Sequence, residues 1–160
     1  MDFFAHALWM YILFYNKPYL WLAVLFGVLP DLLTFGFNFV EFFITRKYKK
    51  IDFKDPEQML KYVPKYVFKL YEWTHSLVTF FVIYILVFLI TGDMPLYMWG
   101  WAFHILIDIP THTKKFFPVR FMYPISNYAI DGIIWRTKRF MITNYVLIII
   151  FLVIRIFRLV

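Results

Sequence analysis

The apolar residues of this chain come in runs too long for a water-soluble fold. Tyr19 to about Ile44, Trp73 to Ile90, Leu96 to about Ile109 and Met141 to about Phe157 each approach the roughly 20 helical residues that cross a bilayer core. A shorter run, Phe3 to Tyr15, is broken only by His6 and would start in the headgroup region or sit in a thinned bilayer. Hydrophobic residues make up 62% of the chain and aromatics 24%, more than a domain of this size can hide from water. The runs predict an all-α integral membrane bundle of about five spans, forming one transmembrane domain over residues 1–160.

The breaks between the runs carry their own expectations. Asn16-Lys17-Pro18 is a tight polar turn, and Thr91 to Pro95 is another. Gly27, Pro30-Asp31 and Gly36 interrupt the second run, which predicts a kink or break near Pro30 and an interfacial continuation through Phe43. After Thr45 the chain turns basic. Asp55-Pro56-Glu57 has the form of a helix start, and Met59, Leu60, Val63, Tyr66, Val67 and Leu70 then recur at helical spacing between lysines. That pattern predicts an amphipathic helix on an anionic lipid surface. A second basic loop, Thr113 to Arg139, contains Phe117-Pro118-Val119-Arg120-Phe121-Met122-Tyr123-Pro124, which should be irregular and packed.

The net charge is +7. The first long loop holds Arg46, Lys47, Lys49, Lys50, Lys54, Lys61, Lys65 and Lys69; the second holds Lys114, Lys115, Arg120, Arg136, Lys138 and Arg139. The short connections hold only Lys17, so the positive-inside rule places both long loops and the N-terminus in the cytoplasm and the C-terminus outside. Arg155 and Arg158 near the C-terminus would snorkel to headgroups. The basic loops suit anionic headgroups, and the aromatics suit interfacial belts rather than nucleic-acid stacking. Asp2 stands where a secretion signal needs a basic region, so no cleaved leader is expected.

Within this apolar chain, Trp101 to His112 carries three ionisable side chains. His104 and Asp108 are four apart and share a helix face; His112 lies about one turn further along, beyond Pro110. A charged group at membrane depth costs about 2.5–3.5 kcal/mol on insertion scales, so three on one stripe need a compensating partner. Imidazole nitrogens with a carboxylate oxygen are suitable ligands for a zinc-like cation. With no cysteine in the chain, any metal must be held by His, Asp or Glu. In the five-span topology His6, Asp31, His75, His104, Asp108 and His112 all fall in the cytoplasmic half of the bilayer. That agreement in depth predicts one polar site. Thr74 and Ser76 read as helix caps or supporting groups beside His75.

These residues also carry a resemblance. His6 in Asp-Phe-Phe-Ala-His-Ala, Gly27-Val-Leu-Pro-Asp31, Thr74-His75-Ser76-Leu77 and His104-Ile-Leu-Ile-Asp108 resemble, in that order, the YdjM-type family of bacterial inner-membrane proteins described as metal-dependent hydrolases. Leu32-Leu33 stand where that family has a further acidic residue. The resemblance implies a multi-pass inner-membrane hydrolase with a divalent metal, zinc being favoured by the histidines. His6, Asp31, His75, His104, Asp108 and His112 are the candidate ligands. Asp31 or Asp108 would be the general base or a bridging ligand, and six candidates leave room for two ions. The expected substrate is a phosphoester or lipid at the cytoplasmic leaflet, with Lys114, Lys115 and Arg120 as phosphate-binding candidates. The alternatives are a carrier for metal ions or protons, and a non-catalytic membrane protein with a polar core.

Overall fold

The structure, a computed structural model, describes residues 1–46 and 60–157. Helices account for the regular structure: α1 (Phe3–Leu13), α2 (Leu20–Ile44), α3 (Lys65–Thr74), α4 (Leu77–Thr91), α5 (Trp99–Thr111) and α6 (Lys138–Ile156). A 3-10 turn at Leu96–Met98 leads into α5. No strand occurs among the described residues, only an isolated bridge between Thr113 and Phe116.

Local signals set most of the ends. Asp2 caps α1, its carboxylate accepting from the Ala5 N–H at 3.0 Å, and Asn16 turns the chain with φ 62°. Ser76 caps α4 by accepting from the Thr79 N–H at 3.2 Å, and Thr137 caps α6 through the Phe140 N–H. Pro110 sits one residue before the end of α5, and His112 beyond it is extended.

The span count differs from the expected five. Two helices, α2 and α6, are long and apolar enough to cross a membrane, and a third span arises only if α3 and α4, bent by 60° at their junction, act as one. At 1.5 Å per residue α1 and α5 reach only about 16 and 20 Å, short of a core of about 30 Å. Their apolar residues serve helix-to-helix packing instead. The predicted break near Pro30 is also absent. Pro30 is buried inside a continuous 25-residue α2, which is clasped by α1, α3 and α5. Neighbouring helices of this kind make proline tolerable within an apolar helix. In the first basic segment Leu60 and Lys61 are helical, but Val63 and Pro64 interrupt the expected continuous amphipathic helix before α3. The Asp55-Pro56-Glu57 start, together with Lys47, Lys49, Lys50, Lys54, Met59 and Arg158, lies outside the described residues.

α2 is the axis of the packing. α5 crosses it so closely that a Cβ on Gly100 would lie 2.1 Å from the Ala23 carbonyl oxygen. On the far side α6 packs against α1, joined by the Trp9 indole donating to Asn144 Oδ1 at 3.0 Å. The second basic loop is irregular, as its prolines predict, and packs through Phe117, Val119 and Ala129. It also closes the end of α5. The N–H groups of Gly132, Ile133 and Trp135 donate to the carbonyls of His112, Pro110 and Thr111 at 2.9, 2.9 and 3.2 Å. These are carbonyls that a helix end leaves open. A Cβ on Gly132 would lie 2.2 Å from the Pro110 oxygen, so only glycine allows that approach.

Candidate metal centre

Five of the predicted ligands meet where α1, α2 and α5 converge on the α3–α4 junction. His6, His75, His104 and Asp108 are buried, and the Asp31 side chain is 14% exposed. The ligand atoms of His6, Asp31 and His104 all lie within 4.8 Å of one another; so do those of His75, His104 and Asp108.

Each imidazole is oriented by what its other nitrogen meets. His104 Nδ1 donates to the Gly27 carbonyl at 2.7 Å, a contact that the close α2–α5 crossing makes possible. His75 Nδ1 is 3.2 Å from the Tyr71 carbonyl and 3.0 Å from Thr74 Oγ1. Carbonyls only accept, so each ring that donates there carries hydrogen on Nδ1, and in its neutral form turns an Nε2 lone pair inward. Those two Nε2 atoms face each other at 3.1 Å. His75 Nε2 is 3.6 Å from Asp31 Oδ1 and from Asp108 Oδ2; His104 Nε2 is 3.8 Å from Asp31 Oδ1 and 3.4 Å from Asp108 Oδ2. The two triplets share His104, so they lie side by side.

Further contacts hold these residues in place. His6 Nε2–H donates to Asp108 Oδ1 at 3.0 Å, and its ring stacks on His104 with centroids 3.8 Å apart. His6 Nδ1 is buried without a hydrogen-bond partner among the described residues. The Met1 amino group also contacts Asp108 Oδ1. His75 sits between two helices, and Thr74 anchors it there. The Thr74 hydroxyl meets Thr34 Oγ1 at 2.7 Å, and its carbonyl accepts from the Trp101 indole at 2.6 Å.

His112 is placed differently. Its Nδ1 donates to the Asp108 carbonyl at 3.1 Å, and it stands outside both triplets. It lines a cavity of about 720 Å³ that also reaches Asp31. Lys114, Lys115 and Arg120 do not line that cavity: Arg120 is ion-paired with Glu72, and the Lys114 ammonium is 6.0 Å from the centre of the Tyr128 ring. Among the described residues the basic side chain that lines it is Arg136, its guanidinium 5.7 Å from the centre of the Phe116 ring. Ser76 caps α4 and donates to the Tyr123 carbonyl.

Sequence reasoning missed Tyr71. Its ring stacks on His75 at 3.8 Å, and its buried hydroxyl has no partner among the described residues. Its position four residues before His75 on a helix was the available signal. Arg136 stood among the basic residues of the second loop without being singled out, and Gly27 was read as an interruption of the second run and as part of a motif, not for its carbonyl. The arrangement can hold a metal ion: His75, His104 and Asp108 bring ligand atoms together inside an apolar fold, and so do His6, Asp31 and His104. No family model, curated protein or solved structure matches the chain.

Proposed function

We propose that the protein is a membrane-embedded, metal-dependent hydrolase of the YdjM type, acting on a phosphoester or lipid. The observation that carries this reading is the approach of the His75 and His104 lone pairs to 3.1 Å beside two carboxylates. Two such lone pairs repel, and a shared cation removes the repulsion while balancing the buried charge. The spacing supports zinc. Four donors about 2.0–2.1 Å from a tetrahedral ion stand about 3.3 Å apart. His75 Nε2, His104 Nε2 and Asp108 Oδ2 stand 3.1, 3.4 and 3.6 Å apart, as three donors of such a set would.

The two carboxylates take different roles. Asp108 is enclosed and held by His6, Thr111 and the Met1 amino group, which suits a fixed, charge-balancing ligand. Asp31 is partly exposed and borders the cavity, which suits a base that takes a proton from an attacking water. A bound divalent cation supplies Lewis acidity and lowers the pKa of its water toward about 7. Thr34, Thr74 and the Gly27 carbonyl hold the imidazoles in place. The two long apolar helices suit a cell inner membrane.

The test is to measure bound metal, turnover of phosphoesters and cation flux in liposomes on wild type and Asp108→Asn. That substitution keeps shape and removes charge. We expect metal affinity to fall by more than about 100-fold, beyond what loss of a merely supporting group costs, with hydrolysis lost alongside. Wild-type protein that binds no divalent metal under any supplement would sink the reading. Flux without ester turnover would replace it with a carrier.

A further inference from the structure

Three imidazoles gather at the centre, and their rings are not equivalent. His75 and His104 meet edge to face, with centroids 5.0 Å apart and planes 64° apart. Planes that cross this steeply can share one ion. His6 and His104 instead stack, with centroids 3.8 Å apart and planes only 23° apart. A metal ion lies in the plane of the imidazole that binds it, about 2.0–2.1 Å from the nitrogen. An ion in the plane of His104 therefore stands about 2 Å or more out of the plane of His6, as far as a whole metal–nitrogen bond. His6 cannot join His104 on one ion.

Asp108 divides between the two stacked rings. Its Oδ2 is 3.4 Å from His104 Nε2 and 3.6 Å from His75 Nε2, whereas its Oδ1 is 3.0 Å from His6 Nε2. A carboxylate whose two oxygens face separate imidazoles has the form of a bridge. Asp31 reaches both sides as well. Its Oδ1 is 3.6 Å from His75 Nε2 and 3.8 Å from His104 Nε2, and one of its oxygens lies within 4.8 Å of a His6 nitrogen.

We propose that the centre takes two divalent ions, one on His75 and His104 and the other on His6 and Asp31, with Asp108 as the bridge. The first ion rests on the reading above; the second is added here. The 3.8 Å between the stacked rings matches the spacing of about 3.5–4 Å in two-metal sites. Asp31 can hold an ion by one oxygen and take a proton from water on the other.

The two sites differ in strength. Backbone carbonyls meet the Nδ1 atoms of His75 and His104, so their Nε2 lone pairs are set inward beforehand. His6 Nε2 donates to Asp108, and its Nδ1 has no partner among the described residues. To become a ligand, His6 must move that hydrogen to Nδ1, where it stays unpaired. The Met1 amino group at Asp108 Oδ1 must also give way. The second ion is therefore the weaker one.

Charge then names the substrate class. Two divalent ions bring four positive charges against two negative ones on Asp31 and Asp108. Buried excess charge is costly, so an anion completes the centre. A phosphoester supplies that charge, whereas a neutral carboxylic ester or amide does not. By linkage, phosphate and the second ion tighten each other by the same factor.

The experiment titrates detergent-purified, full-length protein with Mn²⁺, with and without inorganic phosphate. It reads bound metal and the electron paramagnetic resonance spectrum. Wild type should take two ions, the second at least about tenfold weaker, and give an exchange-coupled signal as it fills. Phosphate should tighten the second ion about tenfold, within the usual range of such coupling. His6→Gln keeps a donor for Asp108 and should hold one ion per chain with no coupled signal. That retained ion reports that the variant is folded; if it does not fold, the wild-type spectrum decides alone. One ion per chain in wild type, or two without coupling, would overturn the second ion and leave the hydrolase reading standing. A coupled signal that survives in His6→Gln would overturn it too. Wild type that binds no ion removes both.

Discussion

α5 and α6 read alike in sequence, both apolar, and do opposite work. Seven of the 13 residues of α5 are buried, among them His104, Asp108 and Gly100; of the 19 residues of α6 only Asn144 and Ile148 are. Ile149 and Val153 in α6 stay exposed on a helix long and apolar enough to cross a membrane. α5 is too short to cross a bilayer and is enclosed by protein. The lesson is that apolar content does not say what an apolar helix faces. Small and polar residues at helical spacing do, because close packing and buried hydrogen bonds hold helices together where lipid is as apolar as the side chains.

The comparison can be broken or sharpened by substitution. The largest effect is expected at the α2–α5 crossing. Gly100→Ala forces a methyl against the Ala23 carbonyl and should destabilise the fold by about 1–3 kcal/mol. Thermal unfolding in detergent measures this, and an unchanged Tm would mean that the crossing is looser than described. Next is the layer that holds His75. Thr34→Val deletes the hydroxyl that meets Thr74, and metal affinity should fall about tenfold with little change in Tm, read by competition with a chelator. On α6, Asn144→Ala removes the acceptor of the Trp9 indole and should cost about 0.6 kcal/mol, near the average for such bonds between membrane helices. The smallest effect belongs to Ile149→Ala, within about 0.5 kcal/mol. If that change destabilised the protein as much as Gly100→Ala, the outer face of α6 would have to be covered by protein.

Much of the centre was legible in the chain. Helical spacing paired His104 with Asp108, and their cost at membrane depth called for partners. Expected depth then added His6, Asp31 and His75, which do converge. The depth argument used five spans, whereas two or three are long enough, so the convergence comes from helix packing rather than from that topology. The bend at His75 was not legible. It depends on tertiary contacts, the Trp101 indole on the Thr74 carbonyl and Ser76 on the Tyr123 carbonyl, between residues 27 and 47 positions apart. The unbroken α2 was hidden for a similar reason: proline disfavours helix locally, and the helices packed around Pro30 override it. Arg120 looked available for phosphate because its partner Glu72 lies 48 positions earlier, on α3.

The seam between the second basic loop and the end of α5 bears on how such a chain can diverge. Its three hydrogen bonds run from main chain to main chain, so they read no side-chain identity. Descendants of one ancestor can exchange Ile133 for other residues and still keep the seam closed beside His112. Gly132 has no such latitude, since any side chain would strike the Pro110 carbonyl. Drift along this seam should therefore be wide around one fixed position, and an inherited glycine there would record a backbone contact rather than a chemical role.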